Sequence, residues 1–136
     1  MIRGVRGATT VEHNSKRAII EATQELLAAM IDANGIAEDD VASILFTATP
    51  GLDAAYPAAA ARALGWTRTA LMGFQEAHVI DGLQQCVRVL IHWNTDKPMD
   101  EIQHIFLRDA AQLRPDLQPL SASPQRFGDG KNVEGA

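Results

Sequence analysis

The sequence predicts an α+β fold, a five-stranded mixed sheet with one long helix and short helices. Three observations carry this. Apolar, strand-like runs punctuated by glycine and proline recur along the 136 residues. Only one segment repeats apolar residues at helical spacing for several turns, from Ile19 to Ile31. A single amphipathic helix cannot cover both faces of such a sheet, so the other face must meet something, most simply a copy of the chain.

Residues 2–11 form the first expected strand, Ile2-Arg3-Gly4-Val5-Arg6-Gly7-Ala8-Thr9-Thr10-Val11. Alternation puts Ile2, Gly4, Arg6 and Ala8 on one face. Gly4 and Gly7 remove bulk around Arg6, which predicts close approach of a ligand or another chain. Asn14 or Ser15 caps the long helix. Its stripe is Ile19, Thr23, Leu26, Leu27, Met30 and Ile31, and Gly35 is its stop. The second strand spans 41–49 and closes at Pro50-Gly51. Pro57 opens a short helix over 58–64, ended by Gly65. A third strand is expected over 67–72, ending at Gly73, and a fourth over 87–93. Residues 81–85 suit a helical turn. Thr95-Asp96-Lys97-Pro98 makes a turn, a short helical turn follows, and a fifth strand spans 104–107. Residues 1–117 then form one domain. Residues 118–136 hold Pro119, Pro124, Gly128, Gly130 and Gly135 with few large apolar groups, the composition of a mobile tail.

Bulk properties narrow the function. Net charge is −5, which argues against a nucleic-acid surface. The overall field gives an anionic ligand no help, so local cations must hold it. The lone Cys86 permits no internal disulfide, and a reduced, cytoplasmic setting fits. No apolar run reaches the ~20 residues of a transmembrane helix, and no signal-peptide layout precedes the first strand.

Arg6 and Arg88 stand out because each interrupts an apolar run, the second being Cys86-Val87-Arg88-Val89-Leu90-Ile91. A guanidinium keeps its proton, so on a buried strand it needs an anionic partner. The partner is a small carboxylate or phosphate ligand, or a protein carboxylate, unless the side chain snorkels out at a strand end. Glu76 follows the third strand and either binds a ligand hydroxyl or pairs with an arginine. The histidines, His13, His78, His92 and His104, lack metal-ligand spacing, so no metal site is expected. Cys86 reads as a small buried hydrophobe before a nucleophile. No nucleophile elbow or phosphate-binding glycine loop is present. Arginines with one carboxylate suit a reaction run by positioning and electrostatics.

The strings RGVRGATTVE, ATP…YPAAAAR, Gln75-Glu76, CVRVL and LRPDL occur in order over about residues 2–117. In order and spacing they resemble the small trimeric chorismate mutases of the AroH class. The resemblance implies a homotrimer closed into a pseudo-barrel, with sites between subunits. It implies a cofactor-free isomerase that converts chorismate to prephenate on the shikimate route to phenylalanine and tyrosine. By position, Arg6 would grip the enolpyruvyl carboxylate. Arg88 would meet that carboxylate and the ether oxygen. Glu76 and the Gly73 backbone would hold the ring hydroxyl. Tyr56 would line the pocket, and Arg62 and Arg114 would favour the ring carboxylate. Met72, Phe74, Gln75, Phe106 and Leu113 complete the substrate-binding set that the resemblance implies, and the tail after Leu113 would close over the ligand. Phe106 stands where the family usually has tyrosine, Gly73 where it has cysteine, and Ala59 where it has lysine. These departures keep a non-catalytic carboxylate-binding trimer in view. A hydrolase or deaminase using Glu76 as base is a further alternative.

Overall fold

A computed structural model of the chain describes residues 1–114. The tail expected over 118–136 and the domain end at 117 lie outside the described residues. The main elements are β1 (Ile2–Thr10), α1 (Lys16–Asn34), β2 (Val41–Ala48), α2 (Ala59–Ala63), β3 (Ala70–Gln75), β4 (Cys86–Asn94) and β5 (Ile105–Phe106). Short 3-10 turns occupy Glu38–Asp40, Met99–Glu101 and Arg108–Leu113. The strands form one mixed sheet in the order β3-β2-β4-β1-β5. β4 runs antiparallel to both β1 and β2, while β3 and β5 are added in parallel at the edges.

The start of α1 is set by Ser15, whose hydroxyl accepts the Ala18 N–H at 3.1 Å. Asn14 serves elsewhere, accepting the N–H groups of Asp53 and Ala54 at 3.0 Å and pinning the loop after β2. The helix ends at Gly35, whose φ of 71° is the left-handed turn that glycine adopts freely. Ile19, Leu26, Leu27 and Met30 bury against Val5, Ile44, Phe46, Val87, Val89 and Ile91. Each such side chain is worth about 1.5–3 kcal/mol in area removed from water. Gly7 belongs to this packing. A Cβ there would run into the Met30 sulfur and press on Leu26. The space beside Arg6 at Gly7 is therefore filled by α1, which corrects the expectation that a ligand or another chain uses it. Gly4 lies on the opposite, exposed face.

Three boundaries differ from the sequence reading. The strand expected over 67–72 starts at Ala70 and runs on through Gly73 to Gln75. Parallel pairing begins at Ser43 with Ala70, and the residues before it are held by a side chain instead. Glu38 accepts the backbone N–H groups of Arg68 at 2.9 Å and Thr69 at 3.1 Å, and the Thr69 hydroxyl at 3.0 Å. Residues 81–85 are not helical. Asp81 and Gln85 take φ values of 70° and 52°, and the only turn bond there runs from the Gly82 N–H to the Val79 carbonyl. Gln85 is held in this conformation by Val11, through its own carbonyl at 2.8 Å and its side-chain amide at 2.7 Å. The fifth strand shrinks to two residues, and the following Arg108–Leu113 turn was not foreseen.

Candidate active site

Strand register decides what meets on the face turned away from α1. Along β4, Val87, Val89 and Ile91 point into the core, so Cys86, Arg88, Leu90 and His92 take the other side. Arg88 is flanked in register by Ala8 on β1 and Thr47 on β2. Arg6 pairs with Leu90 on the same face. Glu76 follows β3 directly, and its N–H extends the ladder to the Ala48 carbonyl at 2.9 Å. That bond aims the Glu76 side chain along the open face.

The result is a compact charged cluster. Glu76 Oε2 lies 2.8 Å from Arg88 Nε and accepts the Thr47 hydroxyl at 2.6 Å. The side chains of Arg88 and Glu76 are only 26% and 18% exposed. Arg88 Nε is sealed from water, yet its N–H is not aligned for a hydrogen bond. The contact with Glu76 is thus an off-axis ion pair, close by distance and loose by angle. Of the partners the sequence leaves open for Arg88, the structure supplies the protein carboxylate of Glu76. Arg6 lies over the Phe106 ring, its guanidinium carbon 5.6 Å from the ring centre, a cation–π contact. Its backbone N–H donates to His104 Nδ1 at 3.0 Å. Burial, then the Arg88 and Arg114 cations, lower the Arg6 pKa, with Glu76 acting in the other direction. Arginine stays protonated regardless.

Phe106 is buried against Ala8, Cys86 and Ala110, with Leu83 and Leu113 packed around them. It forms a floor under Arg6. Cys86 is fully enclosed in this floor, and burial raises its thiol pKa to about 11. It is inert packing, as the sequence reading preferred. Arg114 ends the described residues, half-buried and close enough for its charge to act on Arg6 and His104.

The remaining expected residues gather elsewhere. Tyr56, Arg62, Gly73, Phe74 and Gln75 line a cavity of about 760 Å³ together with Phe46, Ala48, Leu52 and Ala59. Gly73 pairs with the core residue Phe46, so this cavity opens on the α1 side of the sheet edge. Tyr56 is 81% exposed, and Met72 and Phe74 are also open to solvent. The expected site residues thus fall into two groups within one chain. One holds Arg6, Glu76, Arg88, Phe106, Leu113 and Arg114. The other holds Tyr56, Arg62, Gly73, Phe74 and Gln75. Two polar residues were missed. Thr47 could have been found by alternation, since it must lie opposite the core residue Phe46. His104 carried no local signal, because its role depends on which backbone N–H β5 leaves uncovered. Among the described residues, no group of His, Cys, Asp or Glu is placed to hold a metal, and no helix is long and apolar enough to cross a membrane.

Fold and site together define a small α+β protein that carries guanidinium groups, one of them braced by a carboxylate, on one open sheet face, chemistry suited to an anionic small molecule. Residues 2–117 match the family model for chorismate mutase type I. The chain is 47% identical over 119 residues to a chorismate mutase AroH of Thermus thermophilus, covering 87% of this chain and 98% of that protein. It is 44% identical over 118 residues to the chorismate mutase AroH of Bacillus subtilis, covering 86% and 93%. A solved chorismate mutase from Clostridium thermocellum superposes with a TM-score of 0.78 at 50% identity, over 79% of this chain and 96% of that one. The chain belongs to the type I chorismate mutase family.

Proposed function

We propose that the chain works as a cytoplasmic homotrimer whose sites form between subunits, converting chorismate to prephenate in the route to phenylalanine and tyrosine. The observation that carries this reading is the Thr47–Glu76–Arg88 cluster beside Arg6. It holds a guanidinium in a part-buried site on the open face of the sheet, with its Nε sealed and braced by Glu76. The two separated groups of site residues support assembly between subunits. Each chain carries both halves, and a neighbour's cavity wall would complete the charged face. Exposed Ile2 and Met72 give that face apolar surface to bury. The lone, enclosed cysteine and the absence of a membrane-crossing helix among the described residues suit the cytoplasm.

The substrate is a dianion, and its rearrangement breaks a C–O bond as a C–C bond forms within one molecule. No nucleophile is required. Negative charge grows on the ether oxygen, and Arg88 supplies a positive charge fixed before the reaction begins. Arg6, braced by Phe106, holds the enolpyruvyl carboxylate so that the chain stays folded over the ring. Glu76 and the Gly73 backbone hold the ring hydroxyl, while Tyr56, Arg62 and Arg114 enclose the ring and its carboxylate. An acceleration on the order of a million-fold corresponds to about 8 kcal/mol, shared between positioning and charge stabilisation. Loss of chorismate ultraviolet absorbance measures the reaction. No rate above buffer at high protein concentration would overturn the reading. In Arg88→Lys the charge remains but the planar fork is lost, so turnover should collapse while thermal stability changes little.

A further inference from the structure

We infer that His104 is a positioning residue for Arg6: its unprotonated Nδ1 anchors the Arg6 backbone, and proton uptake there sets the acid limit of substrate binding. This rests on the chorismate mutase reading above. The local architecture leads to it. β5 pairs with β1 only through Ile105 and Phe106, opposite Gly7 and Ala8. The Arg6 N–H points to this same edge, one step before the strand pairing starts. A side chain takes the place of a strand there, and His104 Nδ1 accepts that N–H at 3.0 Å. A backbone amide can only donate, so Nδ1 must carry the lone pair and Nε2 the proton.

The ring is held at both ends of its segment. Asn34, buried at the end of α1, clamps Gln103 by accepting its N–H at 2.8 Å and donating to its carbonyl at 2.9 Å. On the other side, Phe106 is locked in the satellite core and lies under the Arg6 guanidinium. His104 and Phe106 therefore grip one arginine, the first by its backbone and the second by its side chain. Protonation of His104 would point an N–H at an N–H. It would also add a cation beside Arg6 from β1 and Arg114 from beyond the last 3-10 turn, the charged groups that act on this ring. From α1 the segment meets the uncharged Asn34. Burial, then Arg6, then Arg114 lower the His104 pKa below its ordinary 6.5. The sign follows: the anchor is intact above about pH 6.5 and is lost as pH falls through the lowered value. The carboxylates of the substrate stay ionised across that range, so the limit belongs to the protein.

The experiment is steady-state kinetics from pH 5 to 8 on wild type, His104→Asn and His104→Ala, paired with nitrogen-15 NMR of the Arg6 amide. In wild type, KM should rise about tenfold toward acid, the size of one lost hydrogen bond, with kcat nearly flat because Arg88 is untouched. H104A should show the raised KM at every pH. H104N keeps an acceptor that cannot titrate, so it should restore the low KM and abolish the acid limb. The Arg6 amide proton should shift with the His104 titration in wild type and stay still in H104N. An acid limb that persists in H104N, a normal KM in H104A, or an Arg6 amide blind to pH would each overturn the inference. A wild type that leaves chorismate unchanged would sink the assigned reaction instead, and the amide titration would still decide whether His104 anchors Arg6.

Discussion

Two inactive variants of this chain should rescue one another when mixed. The charged half of the site, around Arg88 and Glu76, and the cavity half, around Tyr56 and Gly73, lie on different sides of one sheet. Arg88→Ala removes the cation from the first half. Gly73→Phe fills the second: a Cβ at Gly73 has nothing nearer than the Phe46 carbonyl at 3.9 Å, so the backbone tolerates it while the ring enters the cavity. In the proposed trimer, with its sites between subunits, each variant alone has three defective sites. After denaturation and refolding of an equimolar mixture, each interface draws its halves from two different chains. The charged half is intact in about one chain in two, and so is the facing cavity half, which leaves about a quarter of the sites whole if subunits associate at random in a closed ring. Chorismate consumption should return to about 25% of wild type at equal protein concentration, with size-exclusion chromatography confirming equal assembly of all samples. Activity no higher than the mean of the two parents would mean that a single chain completes its own site, and the interface reading would fall.

Thr47→Val keeps the shape of the side chain and removes the hydroxyl that Glu76 accepts, so kcat/KM should fall about tenfold while the melting temperature moves by only a few degrees; unchanged kinetics would show that Arg88 alone holds the carboxylate. Gly7→Ala adds a methyl group against the Met30 sulfur and should destabilise the fold by about 1–3 kcal/mol in urea unfolding, with an unchanged m value. Cys86 should resist a thiol reagent at neutral pH in native protein and react fully in denaturant, since burial raises its pKa to about 11.

The parts of the fold that sequence made legible are those written in short-range pattern. The stripe from Ile19 to Met30, the serine before it and Gly35 after it define α1 locally, and the structure matches them nearly residue for residue. Strand alternation likewise put Arg6 and Arg88 on definite faces. The third strand went astray because its limits are imposed from outside. Ser43 sets where parallel pairing begins, and Glu38, thirty residues upstream of the strand's entry, holds Arg68 and Thr69 out of the ladder. The 81–85 loop departs from a helical turn because Asp81 and Gln85 take left-handed φ values, the second held by Val11 just past β1. The division of the site into two groups, by contrast, is written in alternation once the strand is known to run past Gly73. Gly73 and Glu76 are three residues apart, so alternation along the extended chain turns them to opposite sides of the sheet.

The pairing of Glu76 with Arg88 offsets part of the charge on the cation to which the proposed mechanism gives the central role. The same pairing keeps that cation in place. An arginine buried with no partner would not stay in place until substrate arrived; it would swing to water or destabilise the strand by several kcal/mol. Glu76 supplies that partner at Nε, at an angle too poor for a full hydrogen bond, and the Thr47 hydroxyl donates to the same carboxylate oxygen. The guanidinium is thus held in place on the open face of the sheet. Electrostatics still favour the substrate. Among the described residues, the charges of Arg88 and Arg114 act on Arg6 beside the carboxylate of Glu76. A negatively charged protein can therefore hold a negatively charged substrate, because the attraction is confined to one face of one sheet.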